Sequence, residues 1–161
     1  MSKAQTVPAQ TIAVNRKAYH DYFIEEEYEA GIVLTGSEIK SVRAGRVNLR
    51  GAYARVEGDE AWLLDAHVSP YEQSGTYFNH EPTRPRKLLL HRREINRLLG
   101  KLEAKGLTLV PLDLHFKGRR VKVKLGVARG KKLFDKREAT AERDVNRQID
   151  RVLKERRYRD E

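Results

Sequence analysis

Between Val121 and Val127 the chain alternates without a fault: Val121, Val123, Leu125 and Val127 on one side, Lys122 and Lys124 on the other. Successive side chains of a strand point to opposite faces, so this segment reads as an antiparallel strand with one buried face and one basic, wetted face. Leu107–Phe116 precedes it across Lys117-Gly118, which predicts a hairpin. Ala52–Val56 and Ala61–Val68, joined by Glu57-Gly58-Asp59-Glu60, predict a second. Tyr22, Ile24 and Tyr28, then Ile32, Val33 and Leu34, suggest paired strands on either side of Gly31. Helical spacing interrupts this pattern twice. A short helix is expected over about Ser37–Ala44, capped by Ser37 and stopped at Gly45. A longer one is expected over about Arg92–Lys105, where Ile95, Leu98, Leu99 and Leu102 share a face and Gly106 ends it.

Short strands with inserted helices predict a mainly β fold, an OB-like antiparallel β-barrel with flanking short helices, and such barrels often offer a face to nucleic acid. Residues 1–14 are small, polar and Pro-containing and read as a disordered leader, and 15–130 as the body. Residues 131–161 contain neither Gly nor Pro and read as a basic tail. On a helical wheel Ala141, Val145, Ile149 and Val152 form a narrow stripe, with Arg143, Arg147 and Arg151 on the opposite side. Asp135 is the candidate cap, with Glu138 three residues on. Like charges at i,i+4 cost about 0.2–0.5 kcal/mol per pair, so this helix is expected to form when phosphates neutralise the arginine row. Packing of the apolar stripe on the barrel is the alternative.

Of 161 residues, 33 are Lys or Arg and 23 are Asp or Glu, a net charge of +10. The excess is not spread evenly. Residues 1–83 carry a net −4, residues 84–132 a net +13 and residues 133–161 a net +1. A basic block without interleaved acids points to a polyanion, and to a phosphate backbone first. Arg84-Pro85-Arg86-Lys87 reads as an extended arm of three cations leading to the anchoring Leu88-Leu89-Leu90. Lys122, Lys124 and Arg129 extend the basic surface along the strand. Tyr19, His20, Tyr22, Tyr71, Tyr77, Phe78 and Phe116 are candidate stacking surfaces for unpaired bases.

Other classes fare worse. The chain has no Cys, which excludes a disulfide framework, a thiolate metal site and a cysteine nucleophile. No apolar run approaches the roughly 20 residues of a membrane span, and the N-terminus lacks the apolar centre of a secretory signal, so a cytoplasmic location is expected. His20, His67, His80, His91 and His115 show no metal-ligand spacing, and neither a metal nor a cofactor is expected. Gly130-Lys131-Lys132 lacks the upstream Gly and the Ser/Thr of a phosphate loop. The cluster Glu25-Glu26-Glu27-Glu29 has the charge for a magnesium site, but alternation along a strand points its members to different faces, and it reads as a solvated strand edge. A ribonuclease using His91 or His115 with nearby lysines is the enzymatic alternative, although nothing in sequence pairs them. The expectation is a binding protein without catalysis, a monomer in solution.

Four ordered blocks resemble one family. They are Asn15-Arg16-Lys17-Ala18-Tyr19-His20-Asp21-Tyr22, Gly36-Ser37-Glu38-Ile39-Lys40-Ser41-Val42-Arg43, Pro82 to Leu90, and Gly126 to Arg137. Together they are similar to the SsrA-binding protein, or SmpB, family. The resemblance implies an OB-type barrel that binds the tRNA-like domain of transfer-messenger RNA. It further implies delivery of that RNA, with elongation factor Tu, to ribosomes stalled on messages lacking a stop codon. It places Asn15, Glu29 and Leu89 on the RNA-binding side. It puts Gly130, Lys131, Lys132, Phe134, Asp135, Lys136 and Arg137 at the ribosomal decoding centre, with the rest of the tail in the vacant mRNA channel. Phe134 stands where the family often has His, and Val145 where many relatives have Trp. A general structured-RNA-binding or ribosome-associated OB protein is the alternative.

Overall fold

A computed structural model describes residues 10–72 and 79–159. The elements run β1 (Gln10–Val14), α1 (Arg16–Asp21), β2 (Tyr22–Ile32), α2 (Gly36–Arg43), β3 (Val47–Asn48), β4 (Tyr53–Glu57), β5 (Glu60–Leu64), β6 (His67–Val68), β7 (Arg86–Leu89), α3 (Arg92–Lys105), β8 (Thr108–Lys117), β9 (Arg120–Gly130) and α4 (Leu133–Arg159). The large sheet is ordered β1-β8-β4-β5-β7-β2-β9, and β9 also pairs with β8. Six strands therefore close on themselves, with β1 added outside on β8, and β3 with β6 makes a separate two-stranded ribbon. The fold is mainly antiparallel sheet with short helices, OB-like as expected. Two compact units divide the chain at Arg129/Gly130.

The alternating strand behaves as its pattern dictates. Val123, Leu125 and Val127 are fully buried, each contributing about 1.5–3 kcal/mol by leaving water. Leu63, Leu88, Leu114 and the α3 residue Leu98 complete that core. Both hairpins form: β4 with β5, and β8 with β9 across Lys117 and Arg120. The long helix keeps the expected bounds, and Gly106 ends it at φ 60°, a left-handed turn that glycine adopts without a Cβ penalty.

Four local expectations change. Tyr22–Ile32 is one strand rather than two, because Gly31 marks a close approach to β7 and not a turn. Thr35, not Ser37, caps α2: its Oγ1 accepts from the Glu38 N–H, and Glu38 Oε1 accepts from the Thr35 N–H at 2.9 Å. Gln10–Val14, assigned to the leader, form β1 against β8. Helix α4 begins at Leu133, so Asp135 falls inside its first turn rather than at its cap.

Helix α1 also escapes the sequence reading. Asn15 caps α1 by accepting from the Ala18 N–H at 3.2 Å, and its amide donates to Pro111 O at 2.9 Å and Leu49 O at 3.2 Å. The register of β8 shifts between Pro111 and Asp113, a bulge where proline's missing N–H costs no ladder bond. The buried Leu112 joins Ala18, Val110 and Ala128 in a second small core.

Candidate RNA interface

The basic arm does not present three free cations. Strand β7 alternates, which turns Arg86 inward beside Leu88. Arg86 is fully buried; its Nε donates to Glu38 Oε2, Nη1 to Ala66 O at 2.8 Å and Nη2 to Pro82 O at 3.0 Å. A buried guanidinium survives only when paired and hydrogen-bonded in this way. Arg84 is half-buried and donates to the other Glu38 oxygen at 2.5 Å. Burial pushes the Glu38 carboxyl up, but hydrogen bonds from Arg84, the Thr35 N–H and Arg86 outweigh it and hold the group below its ordinary value. Arg86 therefore braces the arm from within, and Lys87, the most exposed of the three, is itself paired with Glu60 at 3.3 Å.

What the arm does expose is Leu89, 53% accessible on the outer edge of β7. It forms one wall of an open cleft of about 440 Å³ that also includes Gly31, Val33, Phe116, Arg119, Arg120 and Lys122. Arg43 also lines it. Among the described residues, Arg43, Arg119, Arg120 and Lys122 hold no ion pair. Exposed apolar surface rimmed by unneutralised cations can seat a base and its phosphate together. The sequence reading missed Arg43, Arg119 and Arg120. The last two follow Gly118 in the β8–β9 turn, and a pair of arginines at a hairpin tip was the available signal.

Beyond the cleft the outer face is an acid–base ladder. Glu29 borders the adjoining hollow with Lys87, Leu89, Arg120 and Lys122. It pairs with Lys117 at 3.0 Å and with His115 at 3.1 Å. Burial pushes its carboxyl up, and the hydrogen bonds from Lys117 and His115 bring it below the ordinary value. Lys124 lies 3.8 Å from Glu27 and 3.7 Å from Asp113. Arg129 lies 3.8 Å from Glu25 and covers the Phe23 ring at 5.2 Å. Lys124 and Arg129 are thus already engaged, whereas Lys122 is not. His115, weighed as a ribonuclease residue, has carboxylates on both ring nitrogens.

Tyr19 is exposed on α1. Partial burial raises its hydroxyl, with Lys124 opposing and Glu27 and Asp113 reinforcing. His20 sets Nδ1 3.0 Å from Asp21. Asn15 is buried, its side chain held on the backbone of Ala18, Leu49 and Pro111. Of the other aromatics, Phe116 lines the cleft, Tyr71 lies under Lys40, and Tyr77 and Phe78 fall outside the described residues. In the second unit, α4 exposes Arg143, Arg147 and Arg151, and leaves Val145, Ile149 and Val152 about half exposed. Lys131, Lys132, Lys136 and Arg137 stand at its start.

An OB-like barrel with a cation-rimmed apolar cleft and a basic helical extension belongs to the class of nucleic-acid-binding modules. The family model described as SmpB protein matches residues 12–155. An SsrA-binding protein of Chloroflexus aurantiacus is 71% identical over 147 residues, covering 91% of this chain and 92% of the relative. That of Roseiflexus castenholzii is 69% identical over 147 residues, covering 91% and 93%. Among solved structures, a chain described as "tmRNA-SmpB: a journey to the center of the bacterial ribosome" matches at 54% identity with a TM-score of 0.65, covering 80% of this chain and 93% of that one. The chain belongs to the SmpB family.

Proposed function

We propose that this protein binds the tRNA-like domain of transfer-messenger RNA and delivers it to stalled bacterial ribosomes for trans-translation. The observation that carries the reading is the cleft in which Leu89 lies among the unneutralised Arg43, Arg119, Arg120 and Lys122. Relatives 71% and 69% identical are SsrA-binding proteins, which supports transfer-messenger RNA as the partner of such a cleft.

In this reading the body, 15–130, holds RNA and the tail, 131–161, acts on the ribosome. Leu89 and Phe116 offer apolar surface to an unpaired base, the free arginines and Lys122 take phosphates, and Glu29 accepts from base amino groups at the rim. Tyr19, His20, Lys87, Lys124 and Arg129 flank that contact. Arg84 and Arg86 shape it through Glu38, and Asn15 supports it. Gly130, Lys131, Lys132, Phe134, Asp135, Lys136 and Arg137 sit at the decoding centre, while Arg143, Arg147 and Arg151 follow the mRNA channel. The protein acts as a monomer in the cytoplasm, with elongation factor Tu in the delivery complex and no catalysis of its own. Among the described residues no helix is long and apolar enough to cross a membrane.

The test is reconstitution. Ribosomes stalled on a message without a stop codon receive alanylated transfer-messenger RNA and elongation factor Tu, with or without this protein. Addition of the peptide tag only when the protein is present is expected, and equal tagging in its absence would overturn the proposal.

A further inference from the structure

Asp113 and His115 lie two apart on β8 and so share its outer face, where β2 brings Glu29 alongside. His115 is buried to 6% exposure, its Nδ1 2.7 Å from Asp113 Oδ1 and its Nε2 3.1 Å from Glu29 Oε2. An ionised carboxylate only accepts hydrogen bonds, and a neutral imidazole has one N–H to give. Both contacts are hydrogen bonds only if both ring nitrogens carry hydrogen. We propose that His115, held as an imidazolium between Asp113 and Glu29, is the positioning residue that fixes the Glu29 carboxylate at the rim of the cleft.

The surroundings fit a ring charge balanced by its neighbours. Lys117 of β8 holds the second Glu29 oxygen at 3.0 Å. On β9, Lys122 stands opposite His115 in register, and Lys124 reaches 3.7 Å from Asp113 Oδ2. On β2, Glu27 is the next acid along and takes the other side of Lys124. On β1, Thr11 pairs with His115, and no titratable side chain occurs within Gln10–Val14. Tyr19 of α1 lies within electrostatic reach of Asp113. The ring lies between its acids in a row, and among the described residues no three His, Asp or Glu side chains gather as they would around a metal ion.

Loss of one proton undoes the arrangement on one side only. The shorter contact keeps Nδ1–H on Asp113, so Nε2 becomes a lone pair 3.1 Å from a carboxylate oxygen. Glu29 then retains Lys117 alone and turns away from its bonded position. RNA affinity should therefore fall as the ring is neutralised.

This inference rests on the cleft being the RNA site, and the experiment separates the two. The full chain, with its histidines labelled with nitrogen-15, is followed by NMR of the ring nitrogens across pH 6 to 8.5. In parallel, affinity for the tRNA-like domain is measured at fixed salt for wild type, His115→Gln, Glu29→Gln and Asp113→Asn. We expect both His115 nitrogens protonated at the acid end, Nε2 losing its proton first, and wild-type affinity falling roughly three- to tenfold as it does. His115→Gln and Glu29→Gln should bind more weakly at the acid end and show flat profiles. Asp113→Asn, which changes no side-chain size, should move the inflection to lower pH, and it keeps the test open if His115→Gln unfolds. A neutral ring at pH 6, or the same profile in wild type and His115→Gln, overturns the assignment. A charged ring in a protein that binds no RNA at any pH overturns the reading of the cleft, and the assignment with it.

Discussion

Leu89 stands directly opposite Gly31 in the β2–β7 ladder, so close that a Cβ on the glycine would lie 3.2 Å from Leu89 Cβ. The side chain that forms the cleft wall rests on bare backbone. Gly31→Ala should therefore push Leu89 outward and weaken RNA binding several-fold, while costing about 1 kcal/mol of stability. Binding and urea melts on the same sample check this. An unchanged affinity with full folding would detach Leu89 from the RNA contact.

A second prediction concerns the buried charge. Glu38→Ala strands the Arg86 guanidinium without its counter-charge, and such removals cost about 3–5 kcal/mol. Chemical unfolding measures it, and a loss below about 1 kcal/mol would show that the pair is not buried as described. The pH dependence follows from sign. The folded carboxyl titrates below its ordinary value of 4.5, so its stabilisation is complete above that value and is lost as pH falls through the lower, folded one. Wild type should thus lose stability below about pH 4.5, and Glu38→Gln should lose less over the same window.

The cations should separate by whether a carboxylate already holds them. Arg119→Ala, Arg120→Ala or Lys122→Ala should each lower the slope of log K against log salt by about 1, the signature of one lost phosphate contact. Lys124→Ala and Arg129→Ala should change it less, because Glu27, Asp113 and Glu25 already neutralise them. Equal slopes for all five variants would contradict the map of free and engaged charge.

Deletion of Lys131–Glu161 should leave affinity for the RNA nearly intact and abolish tagging on stalled ribosomes. Equal loss of both activities would remove the division of labour between body and tail.

These charges also mark where the sequence stops being legible. Strict alternation was enough to place β9 and its core face, and helical spacing with Gly106 was enough for α3, since each pattern is local and complete. Gly31 divides β2 in the sequence pattern because glycine punctuates turns far more often than it makes room for a leucine on the next strand. Helix α1 has six residues, too few for a periodic signal, and depends on bonds from Asn15 to positions 34 and 96 residues away. Arg86 looked like its neighbours, because charge counting cannot see that Glu38 faces it. Arg43 meets Arg119 and Arg120 only after the barrel closes, and the cleft exists only then.

The most direct test of the account is binding of the purified chain, at near-physiological salt, to the tRNA-like domain of transfer-messenger RNA and to ordinary alanine tRNA. A preference of tenfold or more for the former, about 1.4 kcal/mol, is the predicted result. Equal affinity would contradict it and leave a basic barrel that binds structured RNA without choosing.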